Sequence, residues 1–207
     1  MKAVITGDII DSRKAEQPGQ WLKILKRILG EYGASPKKWD IYRGDSFQLQ
    51  VENPQCALLV ALRLKAAIKQ LKGLNVRMGI GIGGVSYEAE RVMESQGEVF
   101  IHAGKCFDTL KKKTLALKSP WHELDEEINL YLELALLTID NWTANSAEIV
   151  QLAIEHPHKT QMELSEMLKI TQSNVSSRFR RAGYEEVMKV EKRFRKLIVH
   201  KNTSDKI

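Results

Sequence analysis

Two groups of residues in this chain could carry chemistry. The first is a pair of aspartates. Residues 39–51 read Trp-Asp-Ile-Tyr-Arg-Gly-Asp-Ser-Phe-Gln-Leu-Gln-Val, two β-type runs around Gly44-Asp45, a dipeptide that supplies the positive φ of a tight hairpin. Asp45 there either serves the turn or offers a carboxylate at its tip. Asp8 stands in Gly7-Asp8-Ile9-Ile10-Asp11-Ser12-Arg13, directly after the β-branched run of residues 2–6, and this reads as a strand ending at a ligand-handling loop. The second group lies near the C-terminus. Gln172, Ser173, Asn174 and Ser177 can hydrogen-bond base edges, and the neighbouring Arg178, Arg180 and Arg181 can approach phosphates. A helical bundle used for protein contacts would present the same residues.

The elements that must position these groups follow from periodicity. Trp21, Leu25, Ile28, Leu29 and Tyr32 recur at helical spacing until Gly33 and Pro36. In the hairpin, Phe47, Leu49 and Val51 alternate with Ser46, Gln48 and Gln50, so one face meets a core and the other faces water. Asn53-Pro54 opens a second helix, with Ala57, Ala61, Leu64, Ile68 and Leu71 as its buried stripe and Gly73 as its end. In residues 75–83, Val76, Met78, Ile80 and Ile82 alternate with Arg77, Gly79, Gly81 and Gly83, which specifies a strand with one face stripped of side chains. Either a ligand or another backbone approaches that face, or a helix packs closely over the glycines. A further helix spans residues 99–112, with Phe100, Ala103, Phe107 and Leu110 on one side and three lysines, 111 to 113, at its end.

This order predicts an α+β fold with a ferredoxin-like core, helices covering one face of a largely antiparallel sheet. The other face would carry Gln48, Gln50 and the glycines, open to a ligand or a second copy. After Pro120, a connecting helix carries Leu130, Leu134, Leu137 and Ile139 as its apolar contacts, with Leu132 and Leu136 nearby. Asn145-Ser-Ala-Glu148 and Thr160-Gln-Met-Glu163 have the form of capping boxes, separated by His156-Pro157. The apolar spacing through Leu164, Leu168 and Val175 resembles a helix-turn-helix, with Lys169 where the turn usually has glycine. The expected division is an α+β domain over residues 1–118, a connecting helix over 119–143, an all-α helix-turn-helix domain over 144–200 and a tail over 201–207.

Composition sets the remaining bounds. The chain has 207 residues and a net charge of +6, yet residues 168–207 hold eleven Lys or Arg against four Asp or Glu, so the basic character belongs to the C-terminus. Cys56 and Cys106 fall in helical stretches without metal-ligand spacing, and His102, His122, His156, His158 and His200 show none either. These features fit a reducing cytoplasm, with neither export nor membrane insertion.

Asp-Ile after the first strand, Gly-Asp at a hairpin tip and Arg-x-Gly-Ile in a later strand together resemble the catalytic domain of class III nucleotidyl cyclases. Over the whole chain, Ile5-Thr-Gly-Asp-Ile, Tyr42-Arg-Gly-Asp-Ser-Phe and the C-terminal helices look like the SatD family. The cyclase resemblance implies that Asp8 and Asp45 hold divalent metal, Mg²⁺ or Mn²⁺, over nucleotide phosphates. It implies a phosphate cradle in the backbone N–H groups of Ile9, Ile10, Asp11 and Ser12, with Arg43 and Lys105 as further nucleotide contacts. The match departs where cyclases place a base-reading lysine, here Ile41, and an Asn-x-x-x-Arg pair, here Ile101 and Lys105, so cyclisation is not expected. The function expected is therefore a duplex-DNA-binding regulator, a homodimer whose cyclase-like part senses a nucleotide or metal or dimerises. A metal-dependent enzyme acting on nucleotide phosphates is the alternative, and a pure protein-interaction module leaves the basic C-terminus unexplained.

Overall fold

Residues 1–204 are described in the computed structural model of the protein. In chain order the elements are β1 (Lys2–Ile10), α1 (Pro18–Gly30), β2 (Trp39–Tyr42), β3 (Ser46–Val51), α2 (Ala57–Lys69), β4 (Asn75–Gly83), α3 (Glu98–Thr109), β5 (Leu115–Lys118), α4 (His122–Ile139), α5 (Ala144–Glu155), α6 (Gln161–Leu168), α7 (Gln172–Ala182) and α8 (Tyr184–Ser204). The fold is α+β. Its five-stranded mixed sheet has the order β2-β3-β1-β4-β5. β1 is antiparallel to both β3 and β4, and β5 adds in parallel beside β4. The sequence reading lacks β5, because four residues are too few for alternation to register. Its Leu115 and Leu117 are nevertheless buried.

Helices cover both faces of the sheet. On one, Ala3, Ile5, Phe47, Leu49, Met78, Ile80 and Ile82 pack into the core against α2, with α1 beside it. The glycine face is not left open to a ligand or a second copy; the alternative reading, a helix packed closely over the glycines, is the one found, and that helix is α3. A Cβ on Gly81 would stand 2.3 Å from the Ala103 nitrogen and 2.4 Å from the Val99 carbonyl oxygen, so only a residue without one lets the helix backbone approach this closely. Gln48 and Gln50, expected in water, are buried on this same face, where Gln48 Nε2 donates to Thr6 Oγ1 at 3.2 Å and Gln50 Nε2 to Glu52 at 3.0 Å.

The apolar surface of α2 extends far beyond one stripe. Leu58, Val60, Leu62, Ala66 and Ala67 are buried along with the residues facing the sheet, because α5 packs across its outer side. A helix apolar all round belongs in the middle of a core. Arg63 staples the seam, its guanidinium donating to Glu31 at 2.6 and 2.8 Å and to Glu155 at 2.7 and 2.9 Å. One continuous core thus runs from Ala3 in β1 to Ile198 in α8.

Three details of the C-terminal half differ from expectation. The buried stripe of α4 is Leu124, Ile128, Leu132, Leu136 and Ile139, whereas Leu130, Leu134 and Leu137 are exposed. The cap of α5 is Thr143, which accepts from the Ser146 N–H, so Asn145 lies inside the helix and Glu148 is released for another partner. The Thr160/Glu163 capping box is present. α8 buries Val187, Glu191, Phe194 and Ile198 and continues to Ser204, into the stretch expected as a tail, while residues 205–207 lie outside the described residues.

The α3 contact predicts a steep, position-specific cost. Gly81→Ala should destabilise the protein by about 3 kcal/mol, because two backbones must separate, while Gly84→Ala, with no atom within 4 Å of the new methyl, should cost under about 1 kcal/mol. Equilibrium urea unfolding of both variants checks this, and equal costs would contradict it.

Candidate functional site

A cavity of about 600 Å³ opens at one end of the sheet, lined by residues 8–14, Asp45, Arg77 and residues 111–114. Strand register assembles it. Asp8 of β1 is paired across the sheet with Ser46 of β3 on one side and Arg77 of β4 on the other. Asp45 precedes Ser46, and its carbonyl oxygen accepts from the Ile9 N–H at 3.3 Å. Both aspartates expected to act together therefore line one cavity, with Ile9, Ile10, Asp11 and Ser12 beside them. The hairpin turn takes its positive φ at Arg43 and Gly44 rather than at Asp45. Arg43 and Lys105 are exposed and are not among the lining residues.

The aspartates are already engaged. Arg77 holds Asp8 at two points, Nη2 to Oδ2 at 2.6 Å and Nε to Oδ1 at 3.2 Å, and its guanidinium lies 5.0 Å from the Phe107 ring centre of α3. The hydrogen bond to Asp8 raises the pKa of Arg77 against the opposing effect of burial. Ser12 Oγ donates to Asp45 Oδ2 at 2.5 Å, and Lys14 pairs with Asp11 at 2.8 Å. Among the described residues no group of three or more His, Cys, Asp or Glu converges on a point. Asp8 gives each of its oxygens to a guanidinium hydrogen bond, so a divalent ion drawing on Asp8 and Asp45 would have to share or displace that contact.

At the other end of the chain, α6 and α7 are joined by residues 169–171. Lys169 takes the left-handed conformation with φ 54° and ψ 42°, closing α6, and Thr171 caps α7 by accepting from the Asn174 N–H at 3.3 Å. Val175 and Ala182 anchor the inner face of α7, leaving Gln172, Ser173, Asn174, Arg180 and Arg181 exposed and Ser177 half-buried. Arg178 differs: its Nη1 donates to Glu148 Oε2 of α5 at 2.6 Å, so it orients α7 against α5 instead of pointing outward.

A family model described as the SatD family matches residues 2–198. The chain belongs to the SatD family. No curated protein and no solved structure matches it.

The sequence reading of this SatD chain missed the cationic part of the cavity. The lysines at 111 to 113 were read as the end of a helix, but α3 stops at Thr109, and Lys111 turns with φ 50° to lead the chain into β5. Arg77 stands in the sequence as one polar position of an alternating strand and as the arginine of Arg-x-Gly-Ile, with no role assigned beside the aspartates. Its signal was its place: the one charged residue on a face otherwise given to Gly79, Gly81 and Gly83.

Thr114, at the cavity's edge, belongs to a buried network. Its Oγ1 is 2.8 Å from each Asp140 carboxylate oxygen and accepts from Lys65 Nζ at 2.7 Å. Lys65 is fully buried and also donates to Asn75 Oδ1 and the Val76 carbonyl, while pairing with Asp140 at 2.9 Å. Burial pushes the Lys65 pKa down to about 8, the Asp140 charge only partly offsetting it. For Asp140, burial alone would raise the pKa, yet Lys65 holds it below the usual carboxylate range. Asp140 closes α4, and two residues on Trp142 Nε1 donates to the Ala182 carbonyl at the end of α7 at 2.8 Å.

This network gives the protein a pH signature. Between about 8 and the ordinary lysine value of 10.5 the unfolded chain holds a proton on Lys65 that the folded chain has lost, so stability contributed at this site rises with pH through that window. Lys65→Met should cost about 2 kcal/mol at pH 7 by leaving Asp140 without its cation, less than a fully buried pair because Asp140 is partly exposed. The gap from wild type should widen from pH 8 to 10.5, as read by urea unfolding across that range. A gap independent of pH would refute the assignment.

Proposed function

We propose that this chain is a duplex-DNA-binding regulator in which α5, α6 and α7 form a helix-turn-helix. The observation that carries this reading is the outer surface of α7. Its first turn exposes Gln172, Ser173 and Asn174, and Arg180 and Arg181 stand exposed near its end, above an inner face fixed by Val175 and Ala182. Polar groups early on such a helix suit base edges in the major groove, with Ser177 beside them, and the two arginines suit phosphates. Arg178 keeps α7 at its angle to α5. Residues 144–200 are the DNA-reading part in this view, and residues 1–118 the ligand-sensing part.

The order β2-β3-β1-β4, with a helix after β1 and another after β3, supports a ferredoxin-like core akin to that of nucleotidyl cyclases. Ile41 packs partly buried against the core and Ile101 is exposed, so neither supplies the purine or ribose contact that cyclisation needs. The cavity then serves sensing rather than turnover. The protein works in the cytoplasm on this reading, with Cys56 and Cys106 as free thiols. It does so as a two-fold dimer, for which the exposed Leu130, Leu134 and Leu137 of α4 offer an apolar stripe at i, i+4, i+7 spacing. Among the described residues no helix is long and apolar enough to cross a membrane.

Fluorescence anisotropy on genomic duplexes and on random duplex, across a salt series, tests the DNA reading. Arg180→Ala with Arg181→Ala should weaken binding to all sequences and flatten the salt dependence by about two log units of slope. Gln172→Ala or Asn174→Ala should instead shift sequence preference by roughly 1 to 3 kcal/mol. Wild-type binding no tighter than ~10⁻⁴ M at low salt would end the proposal. Light scattering should show a dimer that Leu134→Asp converts to monomer; a wild-type monomer at high concentration with DNA present would remove the dimer from it.

A further inference from the structure

We infer that the Asp8–Asp45 cavity takes a linear oligophosphate directly on arginine and lysine side chains, without a divalent ion. This rests on the reading of the cavity as the regulator's sensing site and names what it senses. The first support is the charge of the wall. Three carboxylates, Asp8, Asp11 and Asp45, face six cations, and each carboxylate already has a partner: Arg77, Lys14 and Ser12 respectively. Lys113 pairs with Glu133 outside the cavity. The side chains of Arg13, Lys111 and Lys112 meet no hydrogen-bond or ion-pair partner among the described residues. Ser12 is neutral, so Asp45 keeps its charge, but Arg13, Lys111 and Lys112 outnumber it and leave the wall net positive, which attracts phosphate oxygens.

The second support is the engagement of Asp8. A metal bridging Asp8 and Asp45 would have to displace a two-point guanidinium contact that Phe107 also holds in place. An oligophosphate requires no such exchange. It can add to the free edge of Arg77 and to the lysines while Asp8 keeps the guanidinium oriented. The third support is the backbone. Asp11 at φ 60° and Lys111 at φ 50° are non-glycine residues in the left-handed region, and both line this one cavity. Such conformations cost on the order of 1 kcal/mol each and gather where a ligand clamp is built. A volume of about 600 Å³ lies within the roughly 300–1,000 Å³ of small-molecule sites.

Isothermal titration of the full chain with inorganic triphosphate, once in EDTA and once in Mg²⁺, tests the inference. Parallel titrations with ATP, GTP and the nucleosides tell an inorganic chain from a nucleotide. Triphosphate should bind in EDTA with an affinity within about threefold of that in Mg²⁺ and weaken steeply with salt. Lys111→Asn with Lys112→Gln should lower the affinity at least tenfold, asparagine being chosen because it tolerates positive φ. Arg13→Gln should act in the same direction, and its exposure on the rim guards against a loss of fold. Asp45→Asn should leave binding equal or tighter, since it removes a negative charge. Binding that requires Mg²⁺, or that Asp45→Asn abolishes, would overturn the inference while leaving the cavity as a sensor. No binding of triphosphate or nucleotide under either condition would overturn both. Anisotropy with duplex DNA on the same protein reports the DNA reading separately.

Discussion

The structure depends on α2 being buried from two sides. A helix that faces a sheet with one stripe can end a domain, but α2 carries apolar residues round its whole circumference and must find a second partner, which α5 supplies. Two charged residues are caught between these layers, and burial without partners would cost several kcal/mol each. Arg63 meets Glu31 at the end of α1 and Glu155 at the end of α5, and Lys65 meets Asp140 at the end of α4. The sheet half and the helical half therefore share one core and one set of ion pairs, and helix ends on both sides are placed by side chains from α2.

A run of hydrogen bonds leads from the cavity's edge to the end of α7. Residues 111–113 face the cavity, and the next residue, Thr114, holds Asp140 and Lys65. Asp140 ends α4, its carbonyl oxygen accepts from Lys69 at 2.7 Å, and Trp142 reaches across to the last carbonyl of α7.

Much of this architecture is legible in the sequence, and the losses have physical causes. The strands β1, β3 and β4 and the helices α1, α2, α4, α6 and α7 follow from period and caps, because each is long or carries an end signal. Asp8 and Asp45 are legible as partners through the cyclase resemblance, and they share one end of the sheet because β1 and β3 are antiparallel neighbours. What is lost depends on distant layers. Gln48 and Gln50 read as solvent-facing because alternation tells which residues share a face, not what covers it. Leu130, Leu134 and Leu137 share α4 with an equally apolar stripe, and only the position of β5 and α8 decides which is inside. α8 itself was present in the spacing of Val187, Phe194 and Ile198, hidden by its charge. Arg178 and Glu148 are thirty residues apart, beyond the reach of any local pattern.

The glycines of β4 explain why a site lies where it does. Gly79, Gly81 and Gly83 let α3 press onto the sheet along its length, which closes that face to any ligand. Seating ends where glycine ends. At Arg77 the strand regains a side chain, the guanidinium lies against Phe107 near the last turn of α3, and the helix lifts away into residues 110–114. The first polar cross-strand pair beyond the helix is Asp8 with Arg77, so the cavity is the space left between a sheet that continues and a helix that cannot follow it. The residue that stops the close packing is the one that fills the carboxylate. Arg77 therefore ends the glycine seat of α3 and holds Asp8 at once, which is why the cavity begins at this cross-strand pair.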